Sequence, residues 1–203
     1  MIKTFNTVPI CILPQNEHGI HLNLNKIHNF IEKIEPEILK MPAEEKAYQQ
    51  DNMTARWNRW NILLLHNSEF YAVFKIIIQG IKQFTKYLNF KEEIVYLHSW
   101  GNLNRKGQQL PKHAHYFAFA GHIAINAEPS TTTFDWKDLR LNKHHKKIKN
   151  VNGQLVLTFS DVHHYTSIWE EDIPRTSIAF DVILAKHIDE SAPIPPCFPI
   201  LLE

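Results

Sequence analysis

Only two cysteines occur among the 203 residues, Cys11 and Cys197, near opposite ends of the chain. They have no metal-ligand spacing, so a thiolate metal site is excluded and a reduced, cytoplasmic protein is expected. Charge of one sign is missing as well: 22 Lys and Arg stand against 21 Asp and Glu, a formal net charge of +1. A balance this even gives no global attraction to nucleic acid or to an anionic membrane, and neither is expected as a partner. No apolar run approaches the roughly 18 residues of a membrane span. The opening MIKTFNTVPICILPQN, broken by Pro9 and Pro14, is too short in apolar residues for a signal peptide. There is no internal repeat. What remains is ordinary globular composition, 44% hydrophobic and 21% charged, in a length that buries one core. One residue type is abundant, with 13 histidines, which makes metal chemistry the first thing to look for.

Hydrophobic period divides a single domain, 1–203, into two halves. From about Asn25 to Leu88 the spacing is helical. Ile27, Phe30, Ile31, Ile34 and Ile38 form an i, i+3, i+4 stripe that Pro36 bends or ends. The clearest helix is SEFYAVFKIIIQGIKQFTKYL, with Ser68 as N-cap, Glu69 in the first turn, and Phe70, Phe74, Ile77, Ile81, Phe84 and Leu88 on one face. Between the two, PAEEKAYQQDNMTARWNRWN reads as a long surface segment, in which WNRW supplies aromatics that anchor a helix to a sheet. From Glu93 onward the pattern is of short strands: IVYLHSWGNLN, YFAFAGHIAIN, TTTFDW, QLVLTF and TSIAFDVILA. The basic stretch NKHHKKIKN (142–150) has no aromatic partner and reads as a solvated connection, not a nucleic-acid strip. The fold expected is α+β and mainly β: a sandwich or jelly roll over 91–186, supporting helices from 1–90, and a Pro-rich strap over 187–203.

The stretch LPKHAHYFAFAG (110–121) places His113 and His115 one residue apart, just before an apolar run. In a strand, residues i and i+2 share a face with Cα atoms roughly 6.6 Å apart. Two imidazoles so placed can converge on one metal ion, each through a ring nitrogen at about 2.1 Å. A third ligand must come from elsewhere, and LVLTFSDVHHYTSIW offers His163 and His164 at the end of a buried strand. Being adjacent, these two point to opposite faces, and only one can serve. Eleven residues past His164, Arg175 opens the apolar strand RTSIAFDVIL, which has no carboxylate before Asp181. A buried cation needs an anion. The carboxylate of a ligand suits the planar guanidinium fork, and Ser177 on the same strand face adds a hydroxyl.

Trp100, Asn102, Asn104 and Gly107 precede these residues in the pattern W-x-N-x-N-x-x-G. That pattern, then H-x-H, a distal His and R-x-S, resembles the iron(II)/2-oxoglutarate-dependent oxygenases, in particular a small prolyl-4-hydroxylase-like family of bacterial and phage proteins. Gly107 stands six residues before His113, as in prolyl-hydroxylase-type enzymes, and the resemblance covers about residues 94–184. It implies a double-stranded β-helix whose His113, His115 and His164 hold catalytic Fe(II). It implies 2-oxoglutarate as co-substrate, its distal carboxylate paired with Arg175 and Ser177, and amide contacts from Asn102 and Asn104. The activity implied is that of a dioxygenase, a hydroxylase, in which O2 and 2-oxoglutarate are consumed, succinate and CO2 are released, and a small molecule or protein side chain is oxidised. Most such oxygenases carry a carboxylate where His115 stands. Three neutral imidazoles leave a more positive iron with an altered redox potential.

Other readings compete. A cupin-like jelly roll would hold a metal without 2-oxoglutarate chemistry, and Arg175 with Ser177 separates the two, because a cupin needs no buried carboxylate clamp. A non-catalytic β-sandwich would have no use for three convergent histidines. Arg175 has Asp181 and Glu170 as alternative ion-pair partners. The spacing to Arg175 favours His164 over His163, and Asp161 reads as a turn former before a ligand. His122 and Tyr116 read as packing or pocket lining. Oligomeric state is open, a homodimer included.

Overall fold

Apolar residues at period two dominate the second half of the chain, and antiparallel pairing gathers them into two sheets. The computed structural model describes residues 1–5, 8–44, 50–188 and 194–202. Residues 45–49 of the expected surface segment, and 189–193 and 203 of the expected strap, lie outside the described residues. The N-terminal part contributes β1 (Ile2–Phe5), β2 (Val8–Leu13), a single-turn α1 (Gln15–His18), α2 (Leu24–Leu39) and α3 (Ser68–Tyr87). There follow β3 (Ile94–Asn104), β4 (Phe119–Asn126), β5 (Thr131–Lys137), β6 (Lys143–Lys149), β7 (Leu155–Phe159), β8 (His163–Thr166), β9 (Arg175–Leu184) and β10 (Phe198–Leu201). A seven-stranded sheet runs β1-β2-β7-β4-β9-β3-β10, and a three-stranded sheet runs β6-β5-β8.

Two cores hold these layers. The larger lies under the helices: Ile27, Ile31, Phe70, Val73, Ile77 and Phe84 bury their stripes against Leu97, Ile123, Leu155 and Phe180 of the large sheet. Phe84 meets Phe119 edge-on at 5.3 Å, a favoured aromatic geometry. The smaller core joins the sheets, where Ile10 and Val156 of the large one meet Phe134 and Ile148 of the small one. Small polar residues fill the rest of that interior. The architecture is a double-stranded β-helix with N-terminal supporting helices, as expected.

Several local expectations are corrected. The first residues, expected in the helical part, form the β1–β2 hairpin, and Cys11 pairs with Leu157 of β7. Pro36 does not end α2, which continues to Leu39. The cap of α3 is Asn67, whose side chain accepts from Glu69 N at 2.9 Å; Asn67 and Ser68 are both competent caps, and the extended backbone falls at Asn67. The expected surface segment instead makes a 3₁₀ helix, Met53–Arg59, with Met53, Ala55 and Arg56 buried. Its polarity misleads because Arg56 satisfies its guanidinium on the backbone carbonyls of Met41 and Asn52. The connection 142–150 contains β6, an edge strand in which Lys143, Lys147 and Lys149 point outward while Ile148 turns in. Lysine-rich composition suits an unpaired edge. The tail forms β10 on the outer side of β3.

Gly121 lies on β4 between β7 and β9. A Cβ there would stand 2.4 Å from Phe180 Cζ and 2.6 Å from the Val156 carbonyl oxygen, so the close packing of sheet and core requires glycine. Gly121→Ala is expected to lower stability by about 1–3 kcal/mol, the usual range for overpacking. Urea denaturation checks it, and an unchanged midpoint would contradict the packing described.

Candidate metal centre

Histidines 113 and 115 are not in a regular strand, as the alternation had implied. They lie in the extended segment before β4, and the backbone of His113 bridges to His164 in antiparallel fashion. His113 N donates to His164 O at 3.0 Å, and His164 N donates to His113 O at 2.8 Å. This short bridge adds the segment to the edge of β8. His115 N donates to Ser160 O at 2.8 Å, which fixes the next turn of the segment. The strand read as ending at His163 and His164 in fact ends at Phe159; the chain turns, and β8 begins at His163.

Three rings converge as a result. Centroids are 4.4 Å apart for His113 and His164, and 5.2 Å for both pairs that include His115. One ring nitrogen from each lies within 4.8 Å of the others. His163 turns outward to solvent, and Asp161 is exposed in the preceding turn.

The other face of each ring explains its orientation. His113 Nδ1 donates to Pro111 O at 2.7 Å, and His164 Nδ1 to Val162 O at 3.1 Å. A carbonyl can only accept, so both rings carry their proton on Nδ1 and keep a lone pair on Nε2. His115 Nδ1 lies 2.7 Å from Asp181 Oδ1, an ion-pair contact in which the Asp181 oxygens have no hydrogen-bond partner. Burial pushes His113 down to about 4 and holds His164 well below the ordinary histidine value. Both are neutral at pH 7. Convergent imidazole lone pairs repel one another unless a cation joins them, and this donor set fits a first-row divalent ion.

Arg175 begins β9 and is 1% exposed. Its Nε donates to Ser130 Oγ at 3.1 Å and a terminal nitrogen to Ser177 Oγ at 3.3 Å. Among the described residues it has no carboxylate partner; neither Asp181 nor Glu170 pairs with it. Burial alone pushes the guanidinium down to about 10, so it remains charged at neutral pH. Ser130 is held in turn: its hydroxyl donates to Ala127 O at 2.5 Å and accepts from Asn150 Nδ2 at 2.9 Å. Asn150 Oδ1 then accepts from Thr132 Oγ1 at 2.9 Å and lies 3.2 Å from His122 Nε2. His122 is pushed down to about 4, by burial first and by the Arg175 charge second.

The three histidines, Arg175 and Ser177 line one pocket between the sheets. Asn102 lines it too, but its carbonyl is engaged by Trp100 Nε1 at 3.1 Å and Thr54 Oγ1 at 2.7 Å, leaving its NH2 to offer. Asn104 is not part of the lining, and both polar atoms of its amide are buried without a partner. Its strand face continues past the pocket's end. Of His122 and Tyr116, read as packing or pocket lining, His122 lines the pocket and Tyr116 is 88% exposed. Sequence reasoning missed Ser130, Thr132, Asn150 and Thr158. The available signal was threonine at inward positions of otherwise apolar strands, as in TTTFDW and LVLTF.

No protein-family model matches the chain, and no curated protein does. Solved structures do match. Apo ThoJ, a non-heme monooxygenase, aligns at 11% identity over 82% of this chain and 70% of its own, with a TM-score of 0.53. SnoK, a non-heme alpha ketoglutarate dependent carbocyclase from nogalamycin biosynthesis, aligns at 8% identity over 85% and 78%, with a TM-score of 0.50. The chain spans 66% of the length of the epimerase SnoN from the same biosynthesis. At such identities the likeness is one of fold.

The depressed histidines set a pH dependence. His113 and His122 have ordinary values of 6.5 and folded values of about 4. On acidification the unfolded chain binds protons first, so the stability these neutral rings contribute is present above about pH 6.5 and is lost towards pH 4. Metal-free protein is therefore expected to show a lower urea midpoint at pH 5 than at pH 7, and the difference should shrink in His122→Gln. Equal midpoints would contradict the buried, neutral state of these rings.

Proposed function

We propose that the chain is an Fe(II)- and 2-oxoglutarate-dependent dioxygenase, a hydroxylase that releases succinate and CO2. The observation that carries this reading is Arg175: a buried cation with no carboxylate partner among the described residues, in the same pocket as three convergent imidazoles. Burying an isolated charge is costly, and a dicarboxylate spanning the pocket removes that cost at one end while its 2-oxo acid end reaches the metal ligands.

Each residue then has a role. His113, His115 and His164 would hold the iron. Arg175 and Ser177 bind the distal carboxylate of 2-oxoglutarate, and Ser130 and Asn150 keep the guanidinium in place. Trp100, stacked on the His115 ring at 5.9 Å, fixes that ring's plane and, with Leu110 and Phe134, keeps water from the interior. Asn102 offers its NH2 to the co-substrate. Bound iron supplies the activation of O2, with electrons from the 2-oxo acid. The primary substrate is a small molecule or a protein side chain. A cupin-like metal protein without 2-oxoglutarate leaves Arg175 with no anion, which is why that reading ranks second.

Removing the guanidinium takes away charge-assisted hydrogen bonds of roughly 1.5–3 kcal/mol, about ten- to a hundredfold in affinity. Arg175→Ala is expected to weaken 2-oxoglutarate binding by that factor with bound iron unchanged, and Arg175→Lys to recover part, since a point charge lacks the fork. Calorimetry with 2-oxoglutarate checks both. Wild-type protein that keeps iron and binds no 2-oxoglutarate overturns the proposal.

The two adjacent histidines give a second check. His164→Ala is expected to abolish 2-oxoglutarate turnover in the absence of primary substrate, and His163→Ala to retain most of it. Succinate release distinguishes them, and the reverse order would move the ligand by one residue.

A further inference from the structure

Asp181 is a buried carboxylate with no cation beside it. It lies within β9 at 1% exposure; its one ion-pair contact among the described residues is His115 Nδ1 at 2.7 Å, and neither carboxylate oxygen has a hydrogen-bond partner. Its strand partners do not compensate it. On β4 it faces Ala120, and on β3 it faces His98. His98 is fully buried, and its Nε2 lies 3.0 Å from the Trp60 carbonyl, which can only accept. The His98 proton is therefore on Nε2, and its Nδ1 is a bare lone pair with no partner. A neutral ring in that tautomer offers Asp181 neither charge nor a second N–H. Leaving a carboxylate in such surroundings is costly unless positive charge reaches it.

The three imidazoles have the opposite deficit. A divalent ion held by neutral donors alone keeps its full charge in a buried pocket. The two deficits meet at one ring. Backbone carbonyls orient His113 and His164, and of the three rings His115 alone has a carboxylate oxygen beside its Nδ1, at 2.7 Å. A carboxylate on the remote nitrogen of a ligating histidine fixes its tautomer and makes it a stronger donor.

We infer that Asp181 is a positioning residue for the metal centre: it orients His115 and supplies, through that ring, the negative charge that the three-histidine set lacks. The carboxylate of this centre stands one imidazole back from the ion. The inference rests on the metal-site reading above but not on 2-oxoglutarate chemistry.

Cobalt(II) tests it without turnover. Wild-type protein, Asp181→Asn and Asp181→Ala are titrated with Co(II) against a chelator of known affinity, and the visible spectrum of each Co(II) complex and the melting temperature of each metal-free protein are recorded. Asp181→Asn is expected to bind Co(II) about ten- to a hundredfold more weakly, the usual effect of removing such a partner, with shifted absorption bands. Its metal-free form should melt no lower than wild type, because an uncompensated buried charge is gone. In Asp181→Ala, added formate should restore part of the lost Co(II) affinity and equimolar chloride should not. Wild-type affinity and spectrum in Asp181→Asn overturn the inference, as does a loss matched by a lower metal-free melting temperature with no rescue by formate. A wild-type protein that binds no Co(II) instead overturns the metal-site reading beneath it.

Discussion

Two backbone hydrogen bonds between His113 and His164 hold the site together. They join a segment with no regular strand of its own to the edge of the small sheet, and they bring into one place residues about fifty positions apart in the chain. The ring orientations follow from it. Once the bridge is made, Pro111 and Val162 carbonyls sit where they accept from the two Nδ1 atoms, and the Nε2 lone pairs turn towards each other. The site is therefore built from main-chain geometry first and side-chain chemistry second. Such a bridge positions ligands more rigidly than two independent loops could, because each histidine's backbone is the other's hydrogen-bond partner.

The same interior contains two charges that, among the described residues, have no Lys, Arg, Asp or Glu of opposite sign as partner. Arg175 lies among hydroxyls and amides, and Asp181 lies behind His115. A protein selected for stability alone would pair such groups or replace them with apolar ones. Kept apart, they match a ligand set that carries charge of both signs: a metal ion on the Asp181 side, and a carboxylate on the Arg175 side. Cost in the empty protein and affinity for the ligands are two aspects of one arrangement.

Much of this was legible in the residues. The mainly β core and the two long helices follow from period and spacing, because strands and amphipathic helices announce themselves locally; the set of His113, His115 and His164 with Arg175 and Ser177 came from the resemblance of their motifs. What failed was whatever depends on partners distant in sequence. The lysines of β6 look like a solvated loop until the strand is seen to be an edge, and Arg56 looks exposed until backbone carbonyls surround it. Asn104 shares a strand face with Asn102, yet only Asn102 reaches the pocket, since a shared face does not fix where along it a cavity ends. Asp181 was visible as a lone acid in an apolar strand, but its partner proved to be a histidine ligand candidate and not Arg175.

The most direct measurement of the central claim is an anaerobic crystal structure of the protein with Fe(II) and 2-oxoglutarate. The account predicts iron bound by Nε2 of His113, His115 and His164 at about 2.1 Å, the 2-oxo acid end of the ligand on the iron, and its far carboxylate on the Arg175 guanidinium. Iron held by other residues, or a 2-oxoglutarate whose far carboxylate leaves Arg175 without an anion, would contradict it.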